Sequence, residues 1–105
     1  MAVVAIGFEA APKLADHFQL HGQEFSALSH AEYEELAVFF LNMPRDGLIL
    51  ECTRARDNDI IRFDVSTQVM AIMRKDGIIR TFFCPDPGWH GRPSNLDYFR
   101  DECAK

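Results

Sequence analysis

The chain has 105 residues, 48% of them apolar and nine of them Phe, which is enough for one domain with a buried core and too apolar for intrinsic disorder. Its formal charge of −5 excludes a uniformly basic surface of the kind that binds phosphates, and no apolar run reaches the roughly 18–20 residues that span a bilayer. Cys52, Cys84 and Cys103 form an odd set with no CxxC pair, so they read as reduced, buried thiols rather than a disulfide framework or a thiolate zinc site.

The opening MAVVAIGF has no basic segment ahead of an extended apolar one, so no signal peptide is expected. Residues 1–9 read as a linker remnant or a first strand. From about Ala10 to Gln23, Ala11, Leu14, Ala15 and Phe18 recur at helical spacing, with Gly22 as a left-handed C-cap. In SHAEYEELAVFFL, Ser29 and Glu32 have capping-box spacing, and Tyr33, Leu36, Ala37 and Phe40 form one face. Pro44 and Gly47 close this second helix.

After Gly47 the apolar period changes to two. LILECTR, DIIRFDV, QVMAIMR and GIIRTFF predict four strands, and KDG supplies the positive φ of a tight hairpin. Ile61, Phe63 and Val65 point one way, and Ile60, Arg62 and Asp64 the other. CPDPGWHGRP reads as neither strand nor helix. Ser94, with Asp97 three residues on, starts a short helix that runs to Phe99 or Cys103. Helices first and antiparallel strands afterwards predict an α+β fold, with helices on one face of a four-stranded meander and the other face open for function.

His17 and His21 stand four residues apart on one side of the first helix, a spacing that allows a shared proton-transfer task. Two solvated or capping histidines fit the spacing as well. A metal site fits worse, because HExxH is absent. Arg62 can clamp a phosphate or pair with an acid on the next strand, and Arg54 carries the same ambiguity. Arg80 and Thr81 point to opposite faces of a regular strand, so both serve one site only if a bulge intervenes. Tyr98 and Trp89 can stack on bases or join the core. His90 has no evident partner, and Cys84 has no nearby base to activate it. The basic groups, Arg54, Arg56, Arg62, Arg74, Lys75 and Arg80, fall in the later half, opposite Glu32, Glu34 and Glu35 in the earlier one.

Taken together, HFQLHGQEF, AEYEELAVFFL, DIIRFD and DGIIRTFFCPDPGWHGRPSNLDYF resemble the C-terminal nuclease domains of bacterial polymorphic toxins, of the contact-dependent inhibition, Rhs and type VI effector kinds. Those domains are grouped in the barnase–EndoU–colicin–RelE fold. The resemblance covers about Ala10 to Cys103. It implies a metal-independent, cofactor-free ribonuclease in which His17 and His21 are the acid/base pair and Arg62 and Thr81 contact the scissile phosphate. It implies Arg54 as an accessory charge and Tyr98 as a stacking or phosphate contact. It further implies an RNA substrate, with tRNA as one candidate, a cognate immunity protein, no membrane partner, and delivery into the bacterial cytoplasm as part of a secreted effector. The alternatives are a non-catalytic module that binds another protein through the acidic helical face and the aromatic loop, or a nuclease-fold domain that has lost activity.

Overall fold

The change of hydrophobic period at Gly47 marks the passage from the second long helix into a run of four strands in the computed structural model, which describes residues 3–105. Strand β1 is Gly7–Phe8, followed by helices α1 (Ala11–His21) and α2 (His30–Asn42). Strands β2 (Ile49–Thr53), β3 (Ile60–Asp64), β4 (Val69–Met73) and β5 (Ile78–Phe83) come next, then one helical turn, α3 (Pro87–His90), and helix α4 (Asn95–Cys103). The fold is α+β. Its sheet has five strands rather than four, in the order β1-β5-β4-β3-β2, and is mixed: β1 runs parallel to β5 and every other pairing is antiparallel. The expected first strand is thus real but covers two residues; Met1 and Ala2 lie outside the described residues.

Helix α2 starts where its chemistry requires, with the Ser29 hydroxyl accepting from the Glu32 amide at 3.1 Å. Glu32 Oε1 reaches back one residue further than a capping box, to the Leu28 amide. Tyr33, Ala37, Phe40 and Leu41 are buried, whereas Leu36, expected in that face, is exposed. Gly22 is not a left-handed cap. It keeps right-handed helical angles and continues into a 3-10 turn, Gly22–Phe25, and Ser26 takes the left-handed conformation instead. A Cβ on Gly22 would lie 2.8 Å from the Phe18 ring, so close packing sets the residue type there. Val65 falls beyond the end of β3 and is exposed.

Two cores sandwich the sheet. On one face α1 and α2 bury Tyr33, Ala37, Phe40 and Leu41 against Ala71, Met73, Ile79 and Phe82. The fully buried Tyr33 hydroxyl donates to the Phe82 carbonyl, and burial holds this phenol neutral, well above its ordinary pKa. On the other face Ile61, Phe63, Met70, Ile72 and Phe83 pack with Phe99 of α4. That second face, expected to be open, is therefore partly covered. The cysteine reading is also corrected: Cys52 and Cys103 form a disulfide that ties the end of α4 to β2, and only Cys84 is a free thiol. The link needs two residues 51 apart in sequence to meet, which happens only once α4 lies across the sheet.

Candidate active site

The face on which a strand residue lies follows from the ladder. Arg62 pairs with Ala71, and Ala71 with Phe82, so Arg62 shares the face of the α1/α2 core. Ile72 pairs with Thr81, which puts Thr81 on the α4 face. Between them Met73 pairs with Ile79, leaving Arg80 as an extra residue, a β-bulge. The bulge is the condition under which Arg80 and Thr81 can both lean toward α4. Arg80 does so, pairing with Asp59.

Arg62 is accordingly not beside the histidines. It is 6% exposed. Its Nε and Nη2 donate to Glu51 at 3.0 and 2.9 Å, and Nη1 donates to the carbonyls of Phe40 and Met43. This guanidinium closes the C-terminal end of α2 onto the sheet. Arg54 is likewise held, by Asp57, Asp59 and Glu102. Its hydrogen bonds keep the Asp57 carboxyl down at about 2. Both arginine side chains are more than nine-tenths buried, and the little of Arg62 that is exposed lines a separate cleft at the C-terminal end of α2, beside Met43, Arg45 and Glu51.

The other predicted residues do come together. The C-terminal end of α1 reaches over the edge of the α4 face. There His21, Glu24, Ile72, Thr81, Phe83, Cys84, Asp86, Trp89 and Tyr98 line one cleft of about 380 Å³. His21 meets Phe83 at a ring-centroid distance of 5.5 Å, and His17 stacks behind it at 6.2 Å. No protein-family model and no curated protein matches this chain.

The two histidines sit in different surroundings. His21 Nδ1 is 2.7 Å from Glu24 Oε2, while Glu24 Oε1 accepts from the Cys84 amide at 2.7 Å. One carboxylate thus fixes both the imidazole and the strand end that faces it, and leaves His21 Nε2 for a ligand. His17 packs against Phe8, with centroids 5.3 Å apart. Burial, and then the neighbouring His21, lower its pKa below the ordinary 6.5, which keeps it neutral near pH 7. Its Nδ1 is buried without a hydrogen-bond partner, so Nε2 is the nitrogen able to meet a ligand.

Across the cleft the loop read as irregular contains a defined turn. Asp86 caps α3 by accepting from the Gly88 amide, and Gly91 closes it at φ 74. The turn projects Trp89, which is 70% exposed, and sets His90 flat on Tyr98 at 4.4 Å and 4°. His90 has a partner after all, the Asn95 side chain at 2.8 Å. Burial raises the Tyr98 pKa, so it remains a neutral phenol. Sequence reasoning missed Glu24, although its place three residues after His21 was a usable helical-spacing signal. It also missed the His90–Tyr98 stack, which depends on where α4 docks. Among the described residues no three His, Cys, Asp or Glu side chains are grouped as ligands for a metal ion.

Proposed function

We propose that the chain is an endoribonuclease that cleaves RNA by transesterification, with His17 and His21 as the acid/base pair. The observation that carries this reading is the convergence of His21, Thr81 and Tyr98 on one cleft with His17 stacked against His21. The surroundings of the imidazoles suggest the division of labour. His17, neutral near pH 7, takes the proton of a ribose 2′-hydroxyl, whose oxygen attacks the adjacent phosphorus. The bond to the 5′ oxygen breaks, and His21, held by Glu24, gives that oxygen its proton. The products are a 2′,3′-cyclic phosphate and a 5′-hydroxyl. The Thr81 hydroxyl donates to a non-bridging oxygen as charge builds on it. Trp89, Phe83 and Tyr98 offer aromatic surface for a base. In keeping with the resemblance to polymorphic toxin domains, the proposed setting is delivery into a bacterial cytoplasm and restraint by an immunity protein.

The test is incubation with total RNA in the presence of EDTA, followed by end mapping. Cyclic-phosphate ends are expected, and His17→Ala or His21→Ala should slow cleavage by about 10²–10⁴-fold. Fragments ending in 3′-hydroxyl, or no cutting by folded protein, would overturn the reading.

One observation favours a second reading, a protein-interaction module. Leu36 and Phe39 are exposed on α2 with Glu35 just ahead of them in sequence, and Leu28 is exposed just ahead of the helix. Such a module would be harmless when expressed alone in bacteria, whereas a toxin would arrest growth.

A further inference from the structure

Beyond His17, on the side away from the aromatic cleft, a second cleft of about 250 Å³ opens between the start of α1 and the β4–β5 hairpin. Lys13, His17, Arg74 and Arg80 all line it, with Glu9 as the one acidic lining residue. In a chain whose net charge is −5, this brings three cationic side chains to one cleft, of which Arg74 and Arg80 are partly paired and Lys13, among the described residues, is not.

The donors there are not used up. Lys13 has no acidic partner among the described residues. Arg74 spends Nη1 on Glu9 and Nη2 on Asp76, leaving Nε; Arg80 spends Nε and Nη2 on Asp59, leaving Nη1. The first turn of α1, which carries Lys13, has no side-chain cap and no acidic residue. The positive end of the helix dipole at that turn adds to the Lys13 charge beside the cleft. The hairpin cannot easily close the space, because Gly77 at φ +91 already packs against the Val4 carbonyl and fixes the turn. His17 lines this cleft while stacking on His21, which lines the aromatic one. The two clefts therefore adjoin at the imidazole pair.

We infer that this second cleft is a phosphate subsite, in which Lys13, Arg74 and Arg80 hold a backbone phosphate of the bound strand next to the one that reacts. It rests on the ribonuclease reading for the identity of the strand, but the site itself is defined by its affinity for phosphate. The substrate is then a single strand at least two phosphates long. One nucleotide lies against Trp89 and Tyr98, and the neighbouring phosphate lies past His17. Arg80 takes its place there because the bulge turns it out of the ladder, while Arg62 on the regular strand stays inside.

The experiment uses two probes on the whole protein: inorganic phosphate, followed through the imidazole resonances of all four histidines, and a hexanucleotide methylated at every 2′ oxygen, which binds without being cut. Phosphate should shift His17 more than His90 or His30. Lys13→Gln should weaken the hexanucleotide by about fivefold, the upper range for an exposed ion pair. It should also reduce the slope of log affinity against log salt by about 0.7, the release from one single-strand phosphate. Lys13→Arg should restore both. Lys13 has no partner in the fold, so a loss of folding in Lys13→Gln is not expected, and circular dichroism checks it. An unchanged salt slope in Lys13→Gln, or phosphate shifts confined to other histidines, overturns the subsite. If RNA stays uncut while phosphate still moves His17 and Lys13→Gln abolishes the shift, the cleavage reading falls and the subsite stands. If RNA is cut with an unchanged salt slope, the reverse holds.

Discussion

Arg62 and Arg80 project from strands of the same sheet, yet one is 6% exposed with its Nε, Nη1 and Nη2 all donating, and the other keeps a side chain 49% exposed with Nη1 unused. The difference follows from how each face of the sheet is covered. On the α1/α2 face two helices cover most of the sheet and leave a cleft beyond the end of α2, beside which the Arg62 guanidinium is buried by bonding Glu51 and two carbonyls. On the α4 face a nine-residue helix covers only part of the sheet, and the rest opens between His21 and Trp89. The Arg62 charge on the α1/α2 face is taken up by partners within the fold. Charge at the open edge remains available to a ligand.

The largest expected effect comes from breaking what holds the partial cover in place. Closing a loop between residues 51 apart should contribute about 4 kcal/mol by chain entropy. Cys52→Ser with Cys103→Ser, or reduction, should therefore lower stability by about that much in a denaturant titration. The loss should be seen first as increased hydrogen exchange in α4, with α2 protected. Equal loosening of α2 would mean that the two faces do not behave separately.

Arg62→Met should cost about 2–4 kcal/mol, toward the low end for a buried pair because Glu51 is a quarter exposed. Per folded molecule, the rate of RNA cleavage should not change. Thr81→Val should do the opposite, leaving the melting temperature nearly unchanged while lowering kcat by about 10²-fold through loss of one donor to the developing charge. A kcat loss in Arg62→Met as large as that in Thr81→Val would remove the distinction between the faces.

These contrasts mark how far the sequence could be read. The Ser29 and Ser94 caps were legible because a hydroxyl bonding an amide three residues on is local chemistry. The strands were legible from alternation, and so was the fact that Arg62 opposes Ile61 and Phe63. Which face lay open was not, since that depends on α4 crossing β3, a contact between elements far apart in the chain. The same crossing hid the disulfide. The bulge at Arg80 shifts register by one residue with no compositional sign, and without it Thr81 cannot be assigned a side. His17 and His21 were legible as a pair. Their unequal surroundings were not, because Phe8 reaches His17 only through the short parallel strand.

The smallest effect tests that inequality directly. His17 is lowered below 6.5 by burial first, then by His21, with Lys13 acting in the same direction and Asp16 against it. Its folded-state pKa lies below its unfolded one. Its neutral form therefore stabilises the fold above pH 6.5, and this contribution is lost as pH falls through 6.5 toward the depressed value. Catalysis should follow the same proton, with cleavage falling on the acid side as His17 becomes charged and can no longer act as base. His21→Gln removes one of the lowering charges, so the His17 imidazole should titrate at higher pH in that variant, as read by proton NMR. Phe8→Ala, which exposes the ring, should move it up further, because burial is the larger cause. A His17 pKa that stays put in both variants would show that the imidazole is not held neutral by its place between β1 and α1, and the assignment of base and acid would have to be exchanged.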